Sequence, residues 1–202
     1  SGALAIYHHG CSDVEEKAIL MINDDFSASI SSFDPKWKSD YFRDAYSNGL
    51  QEEHTLIRLD TLLAPHFDQL RGRFGLLKID TEGFDVKVLR SYFSASVPLP
   101  HFTMFELHTS ASAVATAYTG VDLLVAHGFD RFRALVHYGS HVLADSTWMT
   151  QQQLRNLSYE AINADSFGYG AGMRHGNIIA TTSYHLAEAE MRQLIPSGAP
   201  LW

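Results

Sequence analysis

The chain has 202 residues, a net charge of −8 and a sequence pI near 5.7, and 46% of its residues are hydrophobic. This length suits one domain with a buried core, and an acidic chain without a Lys/Arg cluster argues against a nucleic-acid partner. Cys11 is the single cysteine, so no internal disulfide can form. The chain contains no bilayer-spanning apolar run and no basic segment typical of a signal peptide. We therefore expect a cytoplasmic protein with no membrane partner.

The first half of the chain predicts short strands separated by polar segments. A polar turn is expected at residues 10–13, and residues 24–35 form a Ser- and Asp-rich segment closed by Pro35. The predicted strands of this half are residues 3–8, 17–23, 54–60 and 74–79. The predicted helices are residues 36–48, a short helix after Pro65, and residues 82–93.

The second half of the chain also predicts strands that alternate with helices. Its predicted strands are residues 101–108, 129–137 and 177–182, and its predicted helices lie at 121–127, within 149–164, and at 186–194. A glycine-rich loop separates the last two strands at 165–176. Strands alternating with helices predict an α/β fold with a parallel sheet and helices on both faces. The two closing strands, joined by a long connection, are compatible with an antiparallel pair.

The segment "LLKIDTEGFDVKVLR" (76–90) carries two acids where a buried strand gives way to a helix. Asp80 closes the strand, and Glu82 falls in the predicted first turn, where free backbone N–H groups favour negative charge. One interpretation is structural, with Thr81 as the N-cap and with Glu82 and Asp85 stabilising the helix start. The other is functional, because open α/β sheets keep their ligand sites at this edge.

A second acid occupies a similar position in "HFTMFELH" (101–108). Glu106 lies near the end of the next predicted strand, and His108, two residues later, faces the same side. Adjacent parallel strands would bring Asp80, Glu82, Glu106 and His108 to one edge of the sheet. Two acids on neighbouring strands predict a site rather than isolated strand ends.

Three segments in this order resemble one family: "TLIRLDTLL", "LLKIDTEGFDVKVLR" and "FTMFELH". They are similar to the motifs of the FkbM family of S-adenosylmethionine-dependent methyltransferases. The earlier segments "HHGCSDVEEKAILMI" and "SASISSF" resemble the family more loosely. Lys78, Asp80, Glu82 and Gly83 fall on the family's central motif, while Asp60 and Glu106 fall on its other two acidic positions.

This resemblance implies a Rossmann-like class I methyltransferase that transfers a methyl group from S-adenosylmethionine to a hydroxyl of a small molecule, such as a sugar or natural product. Asp80, Glu82 and His108 are its expected catalytic residues. Ser12 and Asp13, with Asp80, are expected to bind the cofactor, the first two near the adenine. Glu82, Glu106 and His108 are expected to bind the substrate. The oligomeric state is left open.

One expected motif is missing from the sequence. No acidic, glycine-rich cofactor loop after a strand precedes residue 54, and the glycine-rich segment at 165–176 leads into a strand rather than a helix. We therefore expect an α/β fold that lacks the N-terminal strands carrying this loop. Residues 1–202 would then form the C-terminal larger part of one methyltransferase domain.

Other residues allow both a structural and a functional interpretation. The aromatic residues between Phe26 and Phe42 fit a core face or an apolar wall for the substrate, and Ser29–Ser32 fit either a cofactor contact or a solvated loop. No dedicated metal site is predicted from the eleven histidines, although a divalent ion at the Asp80 and Glu82 carboxylates is chemically reasonable. Two alternative functions stay open: a catalytically silent methyltransferase-like binding module and a metal-dependent hydrolase.

Overall fold

The computed structural model describes residues 5–22, 31–35, 50–94, 96–108, 111–138, 141–144, 148–156 and 175–186. The chain divides into two compact units. The first contains Ser1–Arg71 and Ile79–Pro98, and the second contains Gly72–Lys78 and Leu99–Trp202. The described residues form a mixed α/β structure with one mixed sheet in each unit.

The first unit contains a three-stranded sheet of β1 (Gly10–Ser12), β2 (Glu16–Met21) and β3 (Gln51–Arg58). β3 is central, parallel to β1 and antiparallel to β2. The predicted β2 is confirmed, but residues 5–9 form no strand and the predicted turn at 10–13 begins with β1 instead. The reason is tertiary: Gly10 lies opposite Leu56 of β3, where the absence of a side chain permits close packing.

The described residues of the first unit also include four helical segments. They are α1 (Leu59–Leu63), a 3-10 helix (Ala64–His66), α2 (Phe67–Leu70) and α3 (Asp85–Tyr92). Asp60, predicted to end β3, lies in the first turn of α1. α3 packs against α1, β1 and β3. The apolar side chains that recur at helical spacing along this segment are buried: Phe84, Val88, Leu89, Tyr92 and Phe93.

The second unit contains five strands: β4 (Leu76–Lys78), β5 (Phe102–His108), β6 (Arg131–Tyr138), β7 (His141–Ala144) and β8 (His175–Thr181). Their order is β4-β5-β8-β6-β7. β4 and β5 are parallel, whereas β8 is antiparallel to both β5 and β6, and β7 is antiparallel to β6. The antiparallel closing pair is confirmed, and the sheet that contains it is mixed rather than mainly parallel. A two-residue connection permits only an antiparallel β6–β7 pair, and sequence analysis missed β7.

Helix α4 (Ala111–Ala126) contacts β5 and begins ten residues before the predicted start at Val121. Its first half is rich in alanine, the strongest helix former, and sequence analysis did not count that propensity. Gly128 follows the helix with a φ of 91°, the left-handed conformation that glycine commonly adopts after a helix C-terminus. The core of this unit includes fully buried side chains of Phe105, Val121, Leu124, Phe132 and Ile178.

Several predicted elements lie wholly or partly outside the described residues. Residues 151–156 form a helix, α5, within the predicted 149–164. The predicted helix at 36–48, most of the glycine-rich loop and the predicted helix at 186–194 fall outside, except that Leu186 follows a 3-10 helix at Ser183–His185. Among the described helices, none has the length and apolar character needed to cross a membrane.

Candidate active site

The first unit contains a cavity of about 550 Å³. Asp80 and Glu82 both line it, so the structure brings these two predicted site residues together. Its walls come from β1 and the residues before it, from the segment after β2, and from the turn that precedes α3. The lining residues are His9, Gly10, Cys11, Ser31, Phe33, Asp80, Thr81 and Glu82.

The turn before α3 determines how the acids are presented. Asp80 is exposed and Glu82 is half-buried. Glu82 has a φ of 48°, a left-handed conformation that is uncommon for a residue with a side chain, and Gly83 follows with a φ of 104°. These two residues interrupt the helical path, so α3 begins at Asp85 rather than at the predicted Glu82. Glu82 therefore lies in a turn at the cavity and not in the first turn of the helix.

The start of α3 uses a different contact from the one predicted. Thr81 is not the N-cap; that position belongs to Phe84, whose side chain makes no capping hydrogen bond. Instead, the buried Asp85 reaches back, and its Oδ2 accepts hydrogen bonds from the Thr81 backbone N–H at 3.2 Å and from the Thr81 hydroxyl at 3.0 Å. Asp85, in the first helical turn, supplies the negative charge that favours a helix N-terminus.

Phe33 forms an apolar part of the cavity wall, which agrees with the predicted alternative of an apolar surface for a ligand. Its ring lies 6.0 Å from the His54 ring and 6.1 Å from the Phe84 ring, measured between centroids. Beside it, Gly10 leaves room that a side chain would fill, since an added Cβ would lie 2.4 Å from Leu56 Cδ2 and 3.0 Å from Phe33 Cε2. Phe26, Trp37, Tyr41 and Phe42 lie outside the described residues.

Cys11 lines the cavity with a half-buried thiol. Burial raises the pKa of this thiol above its ordinary value. The thiolate is the nucleophilic form, so this environment favours the unreactive thiol. Cys11 is therefore a poor nucleophile near neutral pH.

Ser12 and Asp13 follow the cavity wall in the chain but are not among its lining residues. Ser12 is fully buried, and its hydroxyl donates to Asp13 Oδ1 at 3.3 Å. Asp13 Oδ2 accepts from Arg90 Nη1 at 3.0 Å, and the Asp13 carbonyl accepts from Arg58 Nη1 at 2.8 Å. These bonds fix the end of β1 to α3 and β3.

Asp60 belongs to the same network through a bidentate pair with Arg58. Arg58 Nε and Nη2 donate to the two Asp60 oxygens at 3.0 and 2.8 Å. Burial by itself would raise the pKa of Asp60, but hydrogen bonds from Arg58, the Thr61 backbone N–H and Ser94, together with the charge of Arg58, hold that pKa below its usual range. Asp60 is therefore a stably ionised partner of Arg58.

Glu106 and His108 lie in the second unit, on β5. Glu106 is half-buried and pairs in register with Asn177 of β8, and His108 pairs with His175. β4 and β5 are adjacent and parallel, as predicted, with Lys78 opposite Met104. The side chain of His108 lies outside the described part of the chain. The roles predicted for Glu106 and His108 stay predictions.

Sequence analysis missed several residues of the cavity wall. His9 and Gly10 attracted no site prediction, and Thr81 was considered only as a cap. Gly10 fell within the predicted turn at residues 10–13, so its sequence context gave no signal of the close packing against Leu56. Ser31 fell within the Ser29–Ser32 segment, for which a cofactor contact was one of two interpretations.

A family model described as the methyltransferase FkbM domain matches residues 2–137. The chain belongs to the FkbM methyltransferase family. This confirms the resemblance predicted from the Lys-Ile-Asp-x-Glu-Gly segment and indicates a methyltransferase. No curated protein and no solved structure gave a significant match.

The FkbM match includes every residue that lines the cavity, together with the strand that carries Glu106 and His108. The family match thus indicates methyl transfer as the class of reaction. The cavity is where the two carboxylates of Asp80 and Glu82 lie beside the apolar ring of Phe33.

Proposed function

We propose that this FkbM domain catalyses S-adenosylmethionine-dependent methyl transfer to a hydroxyl group of a small molecule of the sugar or natural-product type. The observation that carries the proposal is the pair of carboxylates, Asp80 and Glu82, on the wall of one cavity in the first unit. Carboxylates both accept hydrogen bonds from hydroxyl groups and take up a proton from them.

The lining of the cavity fits the cofactor in size and chemistry. A volume of about 550 Å³ lies within the range of roughly 300–1,000 Å³ found for ligand and cofactor sites. Two carboxylates complement the positive sulfonium, and Phe33 with Gly10 offers an apolar surface. When bound, S-adenosylmethionine supplies an electrophilic methyl group.

The residues of this chain would position the acceptor and handle its proton. Either Asp80 or Glu82 accepts the hydroxyl proton, while the other accepts a hydrogen bond that orients the acceptor. Asp80 is the more exposed of the two, so a proton that it accepts can pass to solvent. Glu82 is half-buried in a defined turn, which suits the orienting role.

Three further assignments are part of the proposal. Ser12 and Asp13 shape the adenine end of the cofactor site through β1, since their hydrogen bonds fix the strand that carries Gly10 and Cys11. Glu106 is assigned to acceptor binding from the family motif, and His108 from its place two residues later on β5. His108 is the alternative base near neutral pH.

A Rossmann-like class I fold is the architecture we propose for this domain. In the second unit β4, β5 and β6 share one direction, and β8 runs the opposite way between β5 and β6. Parallel strands with helical connections support this assignment.

The decisive experiment is calorimetric titration of S-adenosylhomocysteine into this chain and into any longer protein that contains it. Binding by either supports the cofactor assignment, and binding by the longer protein alone places the cofactor loop outside residues 1–202. Binding by neither contradicts the proposal and favours a silent methyltransferase-like module.

Substitutions then test the two carboxylates. Once an acceptor is found by screening hydroxylated small molecules, Asp80→Asn and Glu82→Gln should each lower kcat by about 10²- to 10⁴-fold, the usual contribution of acid–base catalysis. Asp68→Asn, an exposed acid on α2, is the matched control and should leave kcat unchanged. Full turnover in both site variants would show that the carboxylates are not catalytic.

A further inference from the structure

The left-handed backbone of Glu82 has a specific partner in another part of the first unit. The Ser32 hydroxyl donates a hydrogen bond to the Glu82 carbonyl oxygen at 2.5 Å, across 50 residues of sequence. A positive φ is unfavourable for a residue with a Cβ and persists where the surroundings hold it. The hydroxyl of Ser32 is a contact of that kind.

Ser32 is itself fixed on several sides. Its side chain is fully buried, and its Oγ also accepts the Asp34 backbone N–H at 3.0 Å. Its backbone exchanges two hydrogen bonds with Met21 at the end of β2, at 2.9 and 3.1 Å. The Ser32 hydroxyl that contacts Glu82 is therefore anchored to the sheet of the first unit. Its hydrogen bond links the Glu82 turn to the end of β2.

We propose that Ser32 is a positioning residue for Glu82, holding the left-handed turn so that the Glu82 carboxylate is presented to the cavity. This rests on the proposed role of Glu82 in methyl transfer. Ser32 acts through Glu82 and not on the reacting groups, since Ser31 lines the cavity and Ser32 does not. The adjacent serines thus have different roles.

The effect on catalysis follows from the loss of the hydroxyl. In Ser32→Ala the Glu82 carbonyl loses the hydrogen bond from the Ser32 hydroxyl, and the turn gains access to conformations with negative φ, which displace the carboxylate. Misplacement of a catalytic group by about 1 Å costs on the order of 10²-fold in rate. We expect kcat to fall at least tenfold while the KM for S-adenosylmethionine changes less than threefold.

A matched control separates this effect from the loss of any buried serine hydroxyl. Ser91 is also fully buried, donates to the Val88 carbonyl at 2.7 Å and accepts the Leu59 N–H at 3.1 Å. Ser91→Ala should lower Tm but leave kcat unchanged. Ser32→Thr, which keeps a hydroxyl, should recover most of the lost kcat. If Ser32→Ala does not fold, Ser32→Cys, with a weak donor of similar shape, replaces it in the same comparison.

A second measurement needs no activity and so separates this proposal from the proposed function. Hydrogen–deuterium exchange at the amides of Gly83 and Phe84 should accelerate at least tenfold in Ser32→Ala and stay unchanged in Ser91→Ala. Unchanged exchange and unchanged kcat in Ser32→Ala would overturn the positioning role. If the wild-type protein transfers no methyl group, the proposed function fails, while the exchange result still decides whether Ser32 holds the turn.

The strain itself is tested by a pair of substitutions that both remove the carboxylate. Glycine adopts positive φ readily and alanine does not, so Glu82→Gly should have a higher Tm than Glu82→Ala, the reverse of the usual order. When Ser32→Ala is also present, the difference in Tm between Glu82→Gly and Glu82→Ala should be smaller, because the turn is no longer held at a positive φ. A Glu82→Ala variant with the higher Tm would contradict a held left-handed turn.

Discussion

Asp60 illustrates at the residue scale how partners set the charge of a carboxylate. Its side chain is 13% exposed and receives two hydrogen bonds from Arg58. Because these partners lower its pKa in the folded protein, Asp60 contributes stability that is complete above its unfolded pKa of about 3.9. This contribution is lost as the pH falls through the lower, folded pKa.

We therefore predict a pH-dependent effect of Asp60→Asn. The variant should have a lower Tm than the wild type at pH 7, and the difference should stay constant down to about pH 5 and narrow below about pH 4. Thermal unfolding followed by circular dichroism from pH 3 to pH 7 measures it. Asp68→Asn, on the exposed face of α2, should match the wild type throughout. A difference that widens in acid would contradict the lowered pKa.

Gly10 permits close packing because it has no side chain. A Cβ there would meet Leu56, which is fully buried and cannot move aside freely, and also the ring of Phe33. Overpacking of a filled core typically costs about 1–3 kcal/mol. Gly10→Ala should lower the free energy of unfolding by this amount in urea titrations and should also weaken ligand binding in the cavity.

The control for Gly10→Ala is Gly75→Ala. Nothing lies within 4 Å of a Cβ added at Gly75, and its φ is outside the left-handed range. The free energy of unfolding of the Gly75→Ala variant should therefore differ from that of the wild type by less than about 0.5 kcal/mol, as for an ordinary surface substitution. Equal effects of the two substitutions would show that the close packing at Gly10 is not a constraint.

At the scale of the element, the start of helix α3 depends on Asp85 rather than on a conventional N-cap. Asp85→Ala leaves the N–H and the hydroxyl of Thr81 without their acceptor. Hydrogen bonds to a charged group contribute about 1.5–3 kcal/mol, so the free energy of unfolding should fall by about 2 kcal/mol. Asp85→Asn, which keeps one acceptor oxygen, should show a smaller loss. A change below about 0.5 kcal/mol in both variants would remove Asp85 from this role.

The same helix shows what sequence could and could not predict. Its apolar face was predictable because Val88, Leu89 and Tyr92 recur at helical spacing, and the strand before it because its apolar run is continuous. The position of its first residue was not, since Glu82 and Gly83 form a left-handed turn whose carbonyl accepts a hydrogen bond from Ser32, 50 residues away in sequence. Local pattern carries no information on such a contact.

The residues of the cavity wall also fall into two groups, those that the sequence pointed to and those that it did not. Sequence analysis selected Asp80 and Glu82 because they follow a buried strand within a family motif, and both line the cavity. Gly10 and Phe33 line the same cavity through tertiary packing, and neither has a local signal of its own. Strand β1 is a similar case, since three residues that look like a turn become a strand only by pairing with β3.

At the scale of the whole molecule, neither unit is a continuous segment of chain. The first unit takes residues from both sides of β4, and β4 belongs to the second unit. A fragment cut at Pro98 would separate β4 from β5, its parallel neighbour. Experiments on the site therefore require the entire chain rather than a fragment.

The net charge of the protein favours a small-molecule acceptor over a nucleic acid. Fifteen Lys and Arg residues against twenty-three Asp and Glu residues give −8, and binding to nucleic acid depends on neutralising phosphates with basic side chains. We predict that the protein binds single-stranded DNA or RNA with a Kd weaker than about 10⁻⁴ M in fluorescence anisotropy at low salt. A basic protein of similar size serves as the positive control. Submicromolar binding that weakens steeply with added salt would instead make a nucleic acid the methyl acceptor and would replace the small hydroxylated molecule proposed for the cavity.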